Sequence, residues 1–226
     1  VAMFLLTWAD LGETATERSA SFAAQFADYP ELFRSRRFWG YAMTATFASG
    51  AFFAYLGGAP WVGTEIFGLE PTALGVYFGA PAVGYLIGNG LSGRFSVRFG
   101  INAMAATGTV ICTVGMTISL LIFLLGYGSA FSFFALTISI GLGNGLILPN
   151  ATAGMLSVRP HLAGTASGIG GAIMIGGGAA LSAISGTMLT LETGATVLIA
   201  IMLATSVLGV ASMIYVIRRA RDVGFG

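Results

Sequence analysis

The side chains able to do chemistry are few, and they keep out of the apolar runs. The 226 residues hold 10 Lys+Arg, 9 Asp+Glu, one His and one Cys, and every position in the first group is an arginine. Proton-coupled chemistry inside a membrane needs a carboxylate or histidine at depth, where burial moves its pKa into the working range. The apolar runs 38–58, 71–93, 102–125, 129–150, 163–186 and 195–217 contain no Asp, Glu, Lys, Arg or His, so a coupling residue must be supplied from outside this chain. His161 stands beside Arg159 in a basic turn and reads as a surface residue. Cys112 lies in an apolar run, has no partner for an internal disulfide and reads as a small packing residue. The runs Gly170-Gly171 and Gly176-Gly-Gly178 follow no strand and have no lysine near them, which excludes a phosphate cradle. Neither a metal nor a cofactor is expected, and a net charge of +1 gives no reason to expect nucleic acid.

What remains at depth is amides, hydroxyls and aromatics. Asn144 either bonds a neighbouring helix or faces a cavity. Phe47, Tyr55 and Phe78, with Phe52 and Tyr77 near them and Met174 further on, either line a site for flat lipophilic ligands by stacking and area burial or simply pack. Asn89 and Asn150 read as partners for loosened backbone. Asn150-Ala-Thr152 matches a glycosylation acceptor but falls on the wrong side of the topology derived below.

The elements that must position these groups follow from composition. The chain is 56% hydrophobic and 8% charged, against about 25% charged for a soluble domain. That shortage predicts several membrane spans of about 20 residues, and the six runs above supply them. Their separators are Gly57 to Pro71, Gly93 to Gly100, Gly126 to Gly128, Ser157 to Leu162 and Thr190 to Gly194. Residues 10–37 form the only long polar stretch, a linker outside the bilayer in which Phe22, Phe26 and Tyr29 share one helical face. If that linker is cytoplasmic, strict alternation puts all ten arginines on the cytoplasmic side. The opposite turns then carry Glu65, Glu70 and Glu192, as the positive-inside rule demands. Residues 218–226 are a cytoplasmic tail, and residues 1–9 read as the end of an earlier span.

The six spans divide into two threes. Proline falls about 20 residues into the first and the fourth, at Pro60 and Pro149, and Pro149 is expected to break its helix. The second span has small residues at Ala80, Gly84, Gly88 and Ser92. The fifth has them at Gly164, Gly168, Ala172, Gly176 and Ala180, a stripe on which another helix can close in. Matched interruptions in opposite-running helices mark an inverted repeat, with ligands bound near the midplane between repeats.

Phe38-Trp-Gly-Tyr41, Gly57-Gly-Ala-Pro-Trp-Val62, Gly93-Arg-Phe-Ser-Val-Arg-Phe-Gly100, Leu148-Pro-Asn-Ala-Thr152 and Ala163-Gly-Thr-Ala-Ser-Gly168 together resemble the C-terminal half of a Bcr/CflA-type multidrug efflux protein of the major facilitator superfamily. The resemblance implies an all-α, six-helix half-bundle built as a 3+3 inverted repeat in the cell inner membrane. It implies export of drugs or small metabolites by proton antiport, with an N-terminal six-helix half of the same protein as partner. It also implies a gating loop at Arg94 and Arg98, although the acid usual in that loop is absent here. A polytopic channel or a non-transporting scaffold is the alternative, and neither would require matched helix breaks.

Overall fold

Helix starts in this chain are set by short side-chain caps and by glycines placed between helices. The computed structural model describes residues 29–222. The expectations for residues 1–9, for most of the linker and for the far end of the tail fall on or extend into residues outside that range. A short helix α1 (Tyr29–Phe33) precedes α2 (Arg36–Trp61), whose N-cap Ser35 accepts from the Phe38 amide at 3.4 Å. There follow α3 (Pro71–Phe78), α4 (Ala80–Phe99), α5 (Ile101–Leu124), α6 (Ala130–Val158), α7 (Ala163–Met188) and α8 (Gly194–Asp222). Ser129 and Ser132 cap α6 reciprocally, each side chain accepting the other's amide. Among the described residues there is no strand, as hydrocarbon requires when each segment must satisfy its own backbone.

Four of these segments, Ile101–Leu124, Ala130–Val158, Pro160–Met188 and Gly194–Arg219, are long and apolar enough alone to cross a membrane. The first span is diluted by threonine, serine and glycine, and the second is divided. With α3 and α4 taken as one divided span, the packing has a simple rule. Helix α2 lies against α7 and α8, α6 lies against α4 and α5, and α2 touches α6 while α5 touches α8. Exchanging the first three spans for the last three leaves that list unchanged, which is the signature of the 3+3 repeat. The two hubs, α2 and α6, hold the core, with Tyr41, Tyr55, Phe133, Phe134, Ile140 and Ile147 each almost fully buried.

Glycine decides how close the helices come. A Cβ on Gly141 would strike the Pro81 carbonyl oxygen and stand 2.9 Å from the Tyr85 nitrogen. One on Gly145 would lie 2.7 Å from the Asn89 nitrogen and the Tyr85 oxygen. From the other side, Gly84 and Gly88 face the carbonyls of Ile138 and Leu142. Helices α4 and α6 therefore meet backbone to backbone, locked further by Asn150 Nδ2 donating to Ser92 Oγ at 2.8 Å.

Four expectations are corrected. Pro149 does not break its helix, since α6 runs on to Val158; the fixed φ of proline suits a helix, and hydrocarbon offers the chain no better partner. The first span likewise passes through Pro60 and ends in a π-helical turn, Val62–Ile66. Residues 93–99 are not a loop but the last turns of α4, leaving Gly100, at φ +83°, as the whole connection to α5. The break lies instead at Gly79, inside the second span.

Gly141→Val should therefore lower the stability of the detergent-solubilised protein by about 1–3 kcal/mol or more, the cost of overpacking. Thermal unfolding measures this, and Gly90→Ala, where a Cβ meets nothing within 4 Å, should leave the transition unchanged.

Candidate functional site

Polar and aromatic groups gather along the seam where α2 passes between α6 and α7. Three contacts set the depth scale. A Cβ on Gly154 would meet the Tyr41 ring, Tyr55 lies beside the Thr137 hydroxyl, and a Cβ on Gly50 would meet Leu181. Interpolating along the antiparallel pair α2 and α6 puts Ser49 level with Asn144. Both are buried, and both carry an oxygen without a hydrogen-bond partner, Ser49 Oγ and Asn144 Oδ1. A buried amide oxygen left in that state costs about 1–3 kcal/mol, so this level of the seam retains polar capacity that folding leaves unused.

Toward the end away from Arg94 and Arg98 the seam is aromatic. The Tyr55 ring stacks on Phe78 with centroids 5.1 Å apart and planes 14° apart, and its hydroxyl donates to the Phe78 carbonyl at 2.9 Å. Phe52 also stacks on Tyr55, at 6.3 Å, while Phe134 meets Tyr55 edge-on and Tyr77 face-on. The chain of rings continues through Phe133 to Phe123 and Phe67. Phe133 and Phe134, at the start of α6, are among the rings the sequence reading missed, because an aromatic near a helix start shows no period that reveals what stands opposite.

Among the expected ligand-facing residues, Tyr55 and Phe78 come together and Asn144 lies deeper on the same seam. Phe47 does not join them. It lies eight residues from Tyr55, about 12 Å along the helix, on the face of α2 turned to Gly209 of α8. Met174 is partly buried on α7, one turn from Gly170, whose added Cβ would lie 2.7 Å from Met155 Sδ; this is nearer the arginine-bearing end.

The expected gating and packing residues divide similarly. Gly84, Gly88 and Asn150 sit in the α4–α6 contact, where Asn150 Nδ2 also donates to the Leu146 carbonyl at 2.7 Å. A Cβ on Gly164, Gly168 or Gly176 would meet nothing within 4 Å. The close approach of α7 to α2 is made by Gly177 and Gly178, against Thr46 and Phe53. Arg94 and Arg98 are exposed at the end of α4, each guanidinium over the next ring, at 5.9 Å from Phe95 and 5.3 Å from Phe99. Arg159 instead forms an ion pair at 2.6 Å with Glu31 of α1, which also lies 3.5 Å from His161. The sequence reading gave no role to Glu31, since an exposed acid in a polar linker carries no periodic signal.

Residues 1–183 match the family model described as Major Facilitator Superfamily. The uncharacterized MFS-type transporter YdgK of Bacillus subtilis (strain 168) is 32% identical over 187 residues, covering 79% of this chain and 43% of that protein. The chain thus spans less than half the length of that relative. No solved structure matches it.

Two substitutions separate the seam's polar groups. Asn144→Leu should raise the stability of the solubilised protein by about 1 kcal/mol, because it removes an unpartnered buried oxygen. Asn150→Ala should lower it by about 0.6 kcal/mol, and by no more than about 1.7, the range measured for interhelical bonds in membranes. Chemical or thermal unfolding of both variants is the check.

Proposed function

Since the chain belongs to the Major Facilitator Superfamily, we propose that it forms one six-helix half of a secondary active transporter that exports drugs or small lipophilic metabolites in exchange for protons. Within the superfamily the reading is of a Bcr/CflA-type carrier in the cell inner membrane, with both ends of the six-helix unit cytoplasmic.

The observation that carries this reading is the uneven burial of the repeat. Only 11% of the most apolar stretch of α7 is buried, against 56% for α6, and α4 buries only Pro81, Gly84, Gly88 and Ser92. These two helices occupy corresponding places in the two triplets. The open stripe Gly164, Gly168, Gly176 on α7 suits a second helical surface at short range, and the partner proposed for it is the other half of the same protein. A path between the halves would then run past the seam. Aromatic rings at Tyr55 and Phe78 favour flat lipophilic solutes, and Asn144 favours one that donates a hydrogen bond. With no Asp, Glu, Lys, Arg or His inside the six runs, the proton-binding carboxylate belongs to the partner half, and Arg94 and Arg98 act at the cytoplasmic gate.

In liposomes containing the full-length protein, uptake of a flat lipophilic dye against its gradient should rise at least about tenfold when an imposed proton gradient supplies the driving force, each tenfold step corresponding to about 1.4 kcal/mol. Collapsing the gradient should return uptake to the protein-free level. Dye flux that is downhill only and indifferent to the gradient would instead identify a channel.

A further inference from the structure

The second span is built in two mechanically different parts. Below Gly79, α4 is fixed to α6, since its Pro81, Tyr85 and Asn89 backbones lie against Gly141 and Gly145. Above Gly79, α3 has no fully buried residue, and Val76 is 78% exposed. Its hold on the bundle consists of Leu74 against Gly63, Tyr77 on Phe134 with centroids 5.3 Å apart, and Phe78 on Tyr55.

Between the two parts the helical ladder is interrupted. The Ala82 amide, which in a continuous helix would serve the Phe78 carbonyl, bonds the Gly79 carbonyl instead at 3.0 Å. Pro81 has no amide hydrogen with which to serve Tyr77. The Phe78 carbonyl is therefore free of its own helix, and the fully buried Tyr55 hydroxyl of α2 takes its place as donor. A carbonyl at this depth needs such a partner.

We propose that α3 is a lid at the end of the bundle remote from Arg94 and Arg98, that it swings about Gly79, and that the Tyr55 hydroxyl is the catch holding it shut. The catch has two positions. With α3 docked, the hydroxyl donates to the Phe78 carbonyl. With α3 displaced, the Thr137 hydroxyl beside it accepts in its place, so the buried phenol stays satisfied in both. Two discrete arrangements of one packed group are what an element needs in order to switch rather than merely flex. The device rests on the transporter reading for its purpose but not for its geometry.

The test uses the full-length protein in liposomes with Cys112→Ala, which removes the native thiol. A single cysteine at Leu74→Cys, on the face of the lid turned to Gly63, reports opening by its rate of reaction with a small methanethiosulfonate. Adding Tyr55→Phe keeps the ring stack and removes only the catch. It should speed labelling by about threefold or more, the change expected from losing one interhelical hydrogen bond. A second reporter, Ser139→Cys in the α5–α6 contact opposite Gly115, should keep its slow rate. Unchanged labelling at position 74, or equal acceleration at both positions, overturns the lid. Labelling involves no transported solute, so the outcome is separate from that of the dye assay.

Discussion

The close approach of α6 to α4 depends on glycine, and most of the architecture depends on that approach. Gly141 and Gly145 present bare backbone to α4, while Gly143 between them turns to α5, where its added Cβ would stand 2.6 Å from the Gly108 carbonyl. One five-residue stretch thus lets a single helix lie close to two neighbours. In hydrocarbon, where burying apolar surface gives no advantage over lipid, such contact and the few interhelical hydrogen bonds supply the cohesion. Asn150 to Ser92 and Tyr41 to Asn102, at 2.8 and 2.7 Å, are two of those bonds.

The same economy explains which parts are fixed and which are loose. Where glycine meets backbone, nothing can slide without collision. Where large side chains meet at ring faces, as above Gly79, displacement costs ring stacking, the Leu74 contact and one hydrogen bond. The tripeptide Gly-Ala-Pro occurs at both 58–60 and 79–81, yet α2 continues through the first and the second span parts at the other. The surroundings differ. A Cβ on Gly58 would lie within 3.0 Å of Leu198 and Leu189, whereas one on Gly79 would meet only the Val76 and Gly75 carbonyls of the preceding turn, at 3.5 Å and beyond. Packing keeps one helix continuous through its proline, and its lack leaves the other free to break.

That pair of tripeptides marks the limit of what could be read from the sequence. The six apolar runs, the glycine punctuation at Gly126 and Gly194 and the α4 stripe at Gly84 and Gly88 were legible, because each depends on local composition or helical period. The stripe at Gly164, Gly168 and Gly176 was equally visible, but period shows only that residues share a face, not that a neighbour stands opposite. Phe47 and Tyr55 looked alike for the same reason, and tertiary contacts alone separate them. Unpartnered Ser49 was passed over because a serine among alanines and glycines looks like filler. Its interest comes from being level with Asn144 in a seam already closed.

Two triplets of helices, exchanged without altering their packing, cross the membrane in opposite senses about the hubs α2 and α6. The most direct measurement places single cysteines at Ser96, His161, Tyr127 and Leu191 in a Cys112→Ala background and treats intact cells with a membrane-impermeant thiol reagent. Positions 96 and 161 should be shielded inside the cell, and 127 and 191 should react from outside. Labelling that puts 96 and 161 on opposite faces would contradict it.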